Sequence, residues 1–247
     1  MKRDERKKRV AIVTGGSRGI GKGVAIRLAD DGMAVIIVYR SNKAEAEAVV
    51  NEINAKEQTA ISIQADIADE TAIEQLFTSV ETHWGGVDVV VNSAGIMSLG
   101  EIAGFDLEEL DRLYRVNIRG TFVVNREAAR RIRQGGAIVN LSSSVTKAAF
   151  PGYGPYAASK GAVDVISLIL ARELKGRDIT VNAVAPGPIA TELFLKDKDP
   201  TTIERLAKAN PMERLGMPED IAEIVAFLSG CGRWVNGQVI YTNGGMI

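Results

Sequence analysis

Short apolar runs alternate with longer amphipathic stretches along the whole chain. Val10–Thr14 (VAIVT), Ala34–Tyr39 (AVIIVY), residues 60–65, 87–91, 137–141 and 179–184, and the terminal GQVIYTNGGMI are apolar and β-rich. Runs that are apolar without alternation fit strands buried on both faces. Helical patterns lie between them, notably at 43–56, at 107–133 as one or two helices, at 157–175, and from Pro218, where proline at the first position is followed by Glu219 and Asp220. Strand and helix in alternation require a mostly parallel, doubly wound seven-stranded sheet with helices on both faces. Residues 192–217 turn charged and irregular without a strand pattern, so they are expected to form a substrate lid rather than sheet. With no repeat or linker in the sequence, residues 10–247 read as one α/β domain behind an N-terminal arm, 1–9.

Composition narrows the picture little but excludes several classes. The chain has 247 residues, 46% hydrophobic and 25% charged, with a net charge of −1, so no strong field draws it to nucleic acid. The basic start, MKRDERKKR, lacks the long apolar run of a signal peptide or membrane anchor and reads as a solvated, mobile arm. A lone cysteine, Cys231, forbids an internal disulfide and suits a reducing, cytoplasmic compartment. With one histidine, His83, placed as a charge partner near a helix C-terminus, a zinc site of the usual ligands is not expected.

The chemistry is concentrated where predicted strands end. The first runs into Gly15-Gly16-Ser17-Arg18-Gly19-Ile20-Gly21 and then a helix, an arrangement in which backbone and free helix N–H groups can hold a pyrophosphate. At the end of the second strand an NAD enzyme places an acid for the ribose 2′-hydroxyl; here stand Tyr39, Arg40 and Ser41. With Arg18 and Arg40 as guanidinium donors, a 2′-phosphate and hence NADP is expected. The fourth strand ends in Asn92-Ser93-Ala94-Gly95, small enough for a cofactor to lie against the backbone. Tyr156 and Lys160 are four residues apart on a predicted helix, which sets an ammonium one turn from a phenol and is expected to lower its pKa. Ser143 lies across a Gly- and Pro-containing loop, and Asn117 sits inside a helical run where asparagine is locally unfavourable.

Ser143 with Tyr156-Ala-Ala-Ser-Lys160, the TGxxxGxG glycine spacing and the NSAG turn together resemble the short-chain dehydrogenase/reductase family, over nearly the whole chain. The resemblance implies a Rossmann fold and hydride transfer between a nicotinamide and a carbonyl or secondary alcohol. Tyr156 is then the general acid, Ser143 steadies the reacting oxygen, Lys160 holds the cofactor ribose, and Asn117 positions a water that links to Lys160. Asp66, with Ile67 beside it, holds the adenine, while Pro186, Gly187, Ile189 and Thr191 cradle the nicotinamide carboxamide. Two positions depart from the family pattern, Ser93 in NSAG and Asn243 where aspartate is common. The pattern is similar to 3-oxoacyl-[acyl-carrier-protein] reductases and related carbonyl reductases, which implies a small carbonyl substrate, a homotetramer and, as a possible partner, acyl carrier protein received by Arg130, Arg131, Arg133 and Arg177. The alternatives are an NAD-dependent alcohol or sugar dehydrogenase and a non-catalytic dinucleotide-binding regulator.

Overall fold

A computed structural model describes residues 8–196 and 198–247. Most of the N-terminal arm, residues 1–7, lies outside the described residues.

Seven strands form one all-parallel sheet in the order β3-β2-β1-β4-β5-β6-β7: β1 Val10–Thr14, β2 Ala34–Tyr39, β3 Thr59–Gln64, β4 Val87–Asn92, β5 Ile132–Leu141, β6 Thr180–Pro186 and β7 Val239–Thr242. Helices α1 Gly19–Asp30, α2 Lys43–Asn54 and α10 Pro218–Ser229 pack on one face, and α3 Glu70–Trp84, α5 Thr121–Arg131 and α7 Gly154–Glu173 on the other. Side chains of a strand alternate between faces, so the unbroken apolar runs divide cleanly. Ala11, Val13, Val35 and Ile37 meet Val24, Leu28, Ile53 and Ile221. Val10, Ile12, Ile36 and Val38 meet Ile73, Phe77, Val124 and Leu170.

Three elements differ from the pattern-based reading. β5 begins at Ile132, not at 137, and crosses Gly135 and Gly136, residues that read locally as strand breakers. Gly136 is required by closeness: an added Cβ would stand 2.8 Å from the Arg133 carbonyl and 2.9 Å from that of Asp88. The helical run after Leu107 is α4 Leu107–Tyr114, then a π-helical segment Arg115–Gly120, then α5. The irregular stretch 192–217 contains two short helices, α8 Glu192–Leu195 and α9 Pro200–Ala207, capped by the side chains of Thr191 and Asp199. A four-residue α6, Val145–Ala148, follows the serines. β1 joins β2 on one side and β4 on the other, so the chain reverses its direction of winding beside the carboxyl end of β1. A crevice forms at such a switch point.

Candidate active site

The crevice is lined by Gly15, Ser17, Arg18, Gly19, Ile20 and Gly21 from the first turn, Arg40 and Ser41 after β2, Asp66 and Ile67 after β3, Ala94 and Gly95 after β4, and Tyr156, Lys160, Pro186 and Thr191. Gly15, at φ +65°, lies so close to the loop after β4 that an added Cβ would stand 2.8 Å from Ala94 Cα. A Cβ on Gly21 would run into the Gly15 carbonyl. Helix α1 has no side-chain cap and no acid in its first turn, so its N–H groups and positive dipole end are left for an anion. These features fit the pyrophosphate of a dinucleotide. Thr14 Oγ1 accepts hydrogen bonds from the Ser93 and Ala94 N–H groups, both at 3.2 Å, and ties the two loops together. Because Ser93 is held through its backbone, its departure from the family pattern leaves this tie intact.

The carboxylate of Asp66 accepts from Ala68 N at 2.9 Å and from the Arg115 guanidinium at 2.9 Å. Burial alone would raise its pKa, but these donors and the charges of Arg115 and Arg40 hold it below the ordinary value. Arg18 pairs with Glu192 of α8 at 2.9 Å. Glu45 also lines the crevice near Arg40, an acid that the reading of the β2 end overlooked because it lies on the following helix. Asn92 does not line the crevice. Its amide donates to Asn140 Oδ1 at 2.7 Å within a buried cluster that includes Asn125 and Ser167, joining β4, β5, α5 and α7 beneath the site.

The catalytic candidates converge at the carboxyl ends of β4 and β5. Asn117 sits in the π-helical segment, buried, with its amide donating to the Ile96 carbonyl at 2.9 Å and to Ser159 Oγ at 3.0 Å while its Oδ1 accepts from Ile96 N at 2.9 Å. An asparagine that competes with its own helix is thus satisfied by the loop after β4 and by α7. Ser159, which sequence reasoning passed over inside the Tyr-Lys motif, also donates to the Tyr156 carbonyl at 2.7 Å.

Three consecutive serines separate by their partners. Ser142 donates to the Lys160 carbonyl at 3.4 Å, and Ser144 donates to the Ala185 carbonyl at 3.0 Å and accepts from the Asn243 amide at 3.1 Å. Ser143, between these anchors, accepts from Val145 N at 3.3 Å and stands close enough to the Tyr156 phenol to lower its pKa.

Lys160 corrects one expectation. Its ammonium donates to the Leu141 carbonyl at 2.7 Å and lies 5.8 Å from the Tyr156 ring centroid. Burial pushes the Tyr156 phenol up to about 12, partly offset by the Ser143 hydroxyl. Burial also brings Lys160 down to about 8, against the pull of Asp164 one turn further on. Desolvation therefore outweighs the favourable charge pairing that helical spacing suggests, and at neutral pH the phenol carries its proton.

In front of Ser143 and Tyr156 opens a pocket, whose walls include Gly187 and Ile189 of the turn after β6. The four arginines expected to receive an acidic partner are already engaged: Arg130 with Glu127, Arg131 with Glu81 and Glu127, Arg133 with Asp88, and Arg177 with the carbonyls of Ala129 and Ile132.

A dinucleotide crevice at the switch point of a parallel sheet, opening on a Ser-Tyr-Lys-Asn constellation, defines a nicotinamide-dependent oxidoreductase of the α/β class. Residues 15–247 match the family model described as Enoyl-(Acyl carrier protein) reductase. The chain is 46% identical to a Short-chain type dehydrogenase/reductase of Picea abies, over 97% of this chain and 92% of that protein. It is 44% identical to an NADPH-dependent aldehyde reductase-like protein, chloroplastic, of Arabidopsis thaliana, over 97% of this chain and 94% of the relative. Among solved structures, a short-chain dehydrogenase from Burkholderia cenocepacia J2315 in complex with NADP superposes with a TM-score of 0.90 at 38% identity, covering 98% of this chain and 99% of that one. The chain belongs to the short-chain dehydrogenase/reductase family.

Proposed function

We propose that the protein is an NADPH-dependent carbonyl reductase that converts a ketone or aldehyde to an alcohol. A bound nicotinamide supplies the hydride. The half-buried, protonated phenol of Tyr156 gives its proton to the oxygen that gains charge, and the Ser143 hydroxyl donates a hydrogen bond to that same oxygen. Lys160, which lines the crevice, would hold the cofactor ribose and, with Asn117 bracing the loop after β4, would support the proton route behind the tyrosine. The carrying observation is the placement of Tyr156, whose phenol stands beside Ser143 where the pocket in front of them meets the dinucleotide crevice.

The NADP preference rests on Arg18, Arg40 and Ser41 in the crevice and on the NADP named for the Burkholderia structure and the Arabidopsis relative. The arginines spent on internal pairs argue for a free small-molecule substrate rather than an acyl carrier protein. Self-association is inferred from Val165, Leu168 and Ile169, an exposed apolar stripe at helical spacing on α7, with Phe122 exposed on α5.

The test is turnover of aldehydes, ketones and an enoyl thioester with NADPH and with NADH, alongside Tyr156→Phe. Tyr156→Phe is expected to lower kcat by about 1000-fold or more while leaving the Kd for NADPH within about threefold, since it removes the proton and not the crevice. A variant that keeps wild-type turnover sinks the mechanism, and a clear preference for NADH sinks the cofactor assignment.

A further inference from the structure

The pocket in front of Ser143 and Tyr156 is chemically one-sided. At its inner end are the two hydroxyls of the reaction, while Ser142 and Ser144 bond to backbone carbonyls elsewhere. The remaining walls are predominantly apolar and include Phe150, Tyr153, Leu193, Phe194, Leu206 and Met246, and no charged side chain among the described residues lines it. Phe150 and Tyr153 meet edge to face at 5.8 Å between ring centroids, and Lys198 places its ammonium 4.6 Å from the centre of the Phe194 ring. The space, open at its mouth, is about 120 Å³, of the order of the roughly 150 Å³ apolar cavity that admits a benzene ring, and the wall formed by Pro186, Gly187, Ile189 and Thr191 is the side a nicotinamide would take. Phe150 and Leu193 are 37% and 43% exposed, so the apolar surface continues to the mouth. The nearest cation on α9, Arg205, is within charge range of Tyr153 but is not part of the wall.

Resting on the reductase reading above, we propose that the substrate is an uncharged ketone or aldehyde with a flat aryl group next to the reacting carbon. One ring is seated among Phe150, Tyr153 and Phe194, and any larger portion extends through the mouth past Leu193. A carboxylate or phosphate beside the carbonyl would meet no charged side chain among the lining residues, which disfavours such substrates. An unbranched aliphatic carbonyl would leave the ring-sized space unfilled.

The experiment compares kcat/KM with NADPH for ethyl benzoylformate, its free acid benzoylformate, and ethyl pyruvate. The aryl ester is expected to exceed the acid by about 100-fold and the aliphatic ester by about 10-fold. Phe194→Ala, on a short exposed helix, is expected to lower kcat/KM about 10-fold for ethyl benzoylformate and less than about twofold for ethyl pyruvate. Leu193→Arg, which puts a cation at the mouth, is expected to shift the ester-to-acid ratio toward the acid. An acid reduced as well as its ester, or a Phe194→Ala loss equal for both esters, overturns the substrate class while leaving the reductase standing. No turnover of any of the three, nor of the wider carbonyl panel, overturns the reductase reading itself.

Discussion

Lys160 illustrates how burial and charge compete at a single residue. Its ammonium is buried, is satisfied by the Leu141 carbonyl and falls to about 8 because desolvation outweighs the charge of Asp164. A lysine whose folded-state pKa lies below its unfolded value of 10.5 binds fewer protons when folded, so between about pH 8 and pH 10 unfolding takes up protons and stability rises with pH. Denaturant melts across this range should therefore show wild type gaining stability relative to Lys160→Met as pH increases; a flat difference would contradict the buried placement. Asn243 is informative in the same way. Its amide donates to Ser144 Oγ while its carbonyl oxygen accepts from Gly245 N and Met246 N. An ionised aspartate at this position could accept but not donate, so the departure from the family pattern is matched by the hydroxyl it faces.

At the scale of elements, the stretch 192–217 owes the form of its helices to caps rather than to core packing. None of the residues of α9 is fully buried, and its N-terminus is held by Asp199, which accepts from Thr202 N at 3.0 Å and from Thr202 Oγ1 at 2.7 Å. Asp199→Ala should loosen the start of α9 locally. The expected result is a KM for the carbonyl substrate raised a few-fold, because Leu206 of α9 lines the pocket, with the global Tm nearly unchanged. Kinetics and a thermal melt on the same variant check both halves. The cap was legible in the residues as Asp-Pro-Thr-Thr, yet the surrounding charge hid it. The π-helical segment was less legible: the misplaced asparagine marked its position, but the bond that makes it tolerable reaches from Ile96, 21 residues away in sequence.

At the scale of the molecule, the apolar stripe on α7 predicts assembly. Ile169→Asp, which sets a charge on an exposed apolar position at 51% exposure, should reduce the mass seen by light scattering while NADPH still binds; an unchanged mass, or a wild-type monomer, removes this helix face from the assembly. The sheet, its parallel sense, the glycine turn and the Tyr156–Lys160 pair could be read along the chain, because strand period, helix spacing and glycine conformation are local properties of consecutive residues, whereas Ser143 was singled out from three serines only by resemblance to the family. The direction of the Tyr156 shift, the withdrawal of Asn92 into a buried amide cluster, the pairing of the four arginines and the ring-sized pocket were decided only by tertiary structure. Each depends on desolvation or on partners distant in sequence. Sequence thus determined which groups the site contains and roughly where the fold brings them, and tertiary structure decided their protonation, their partners and the space in front of them, because burial is a property of the packed whole.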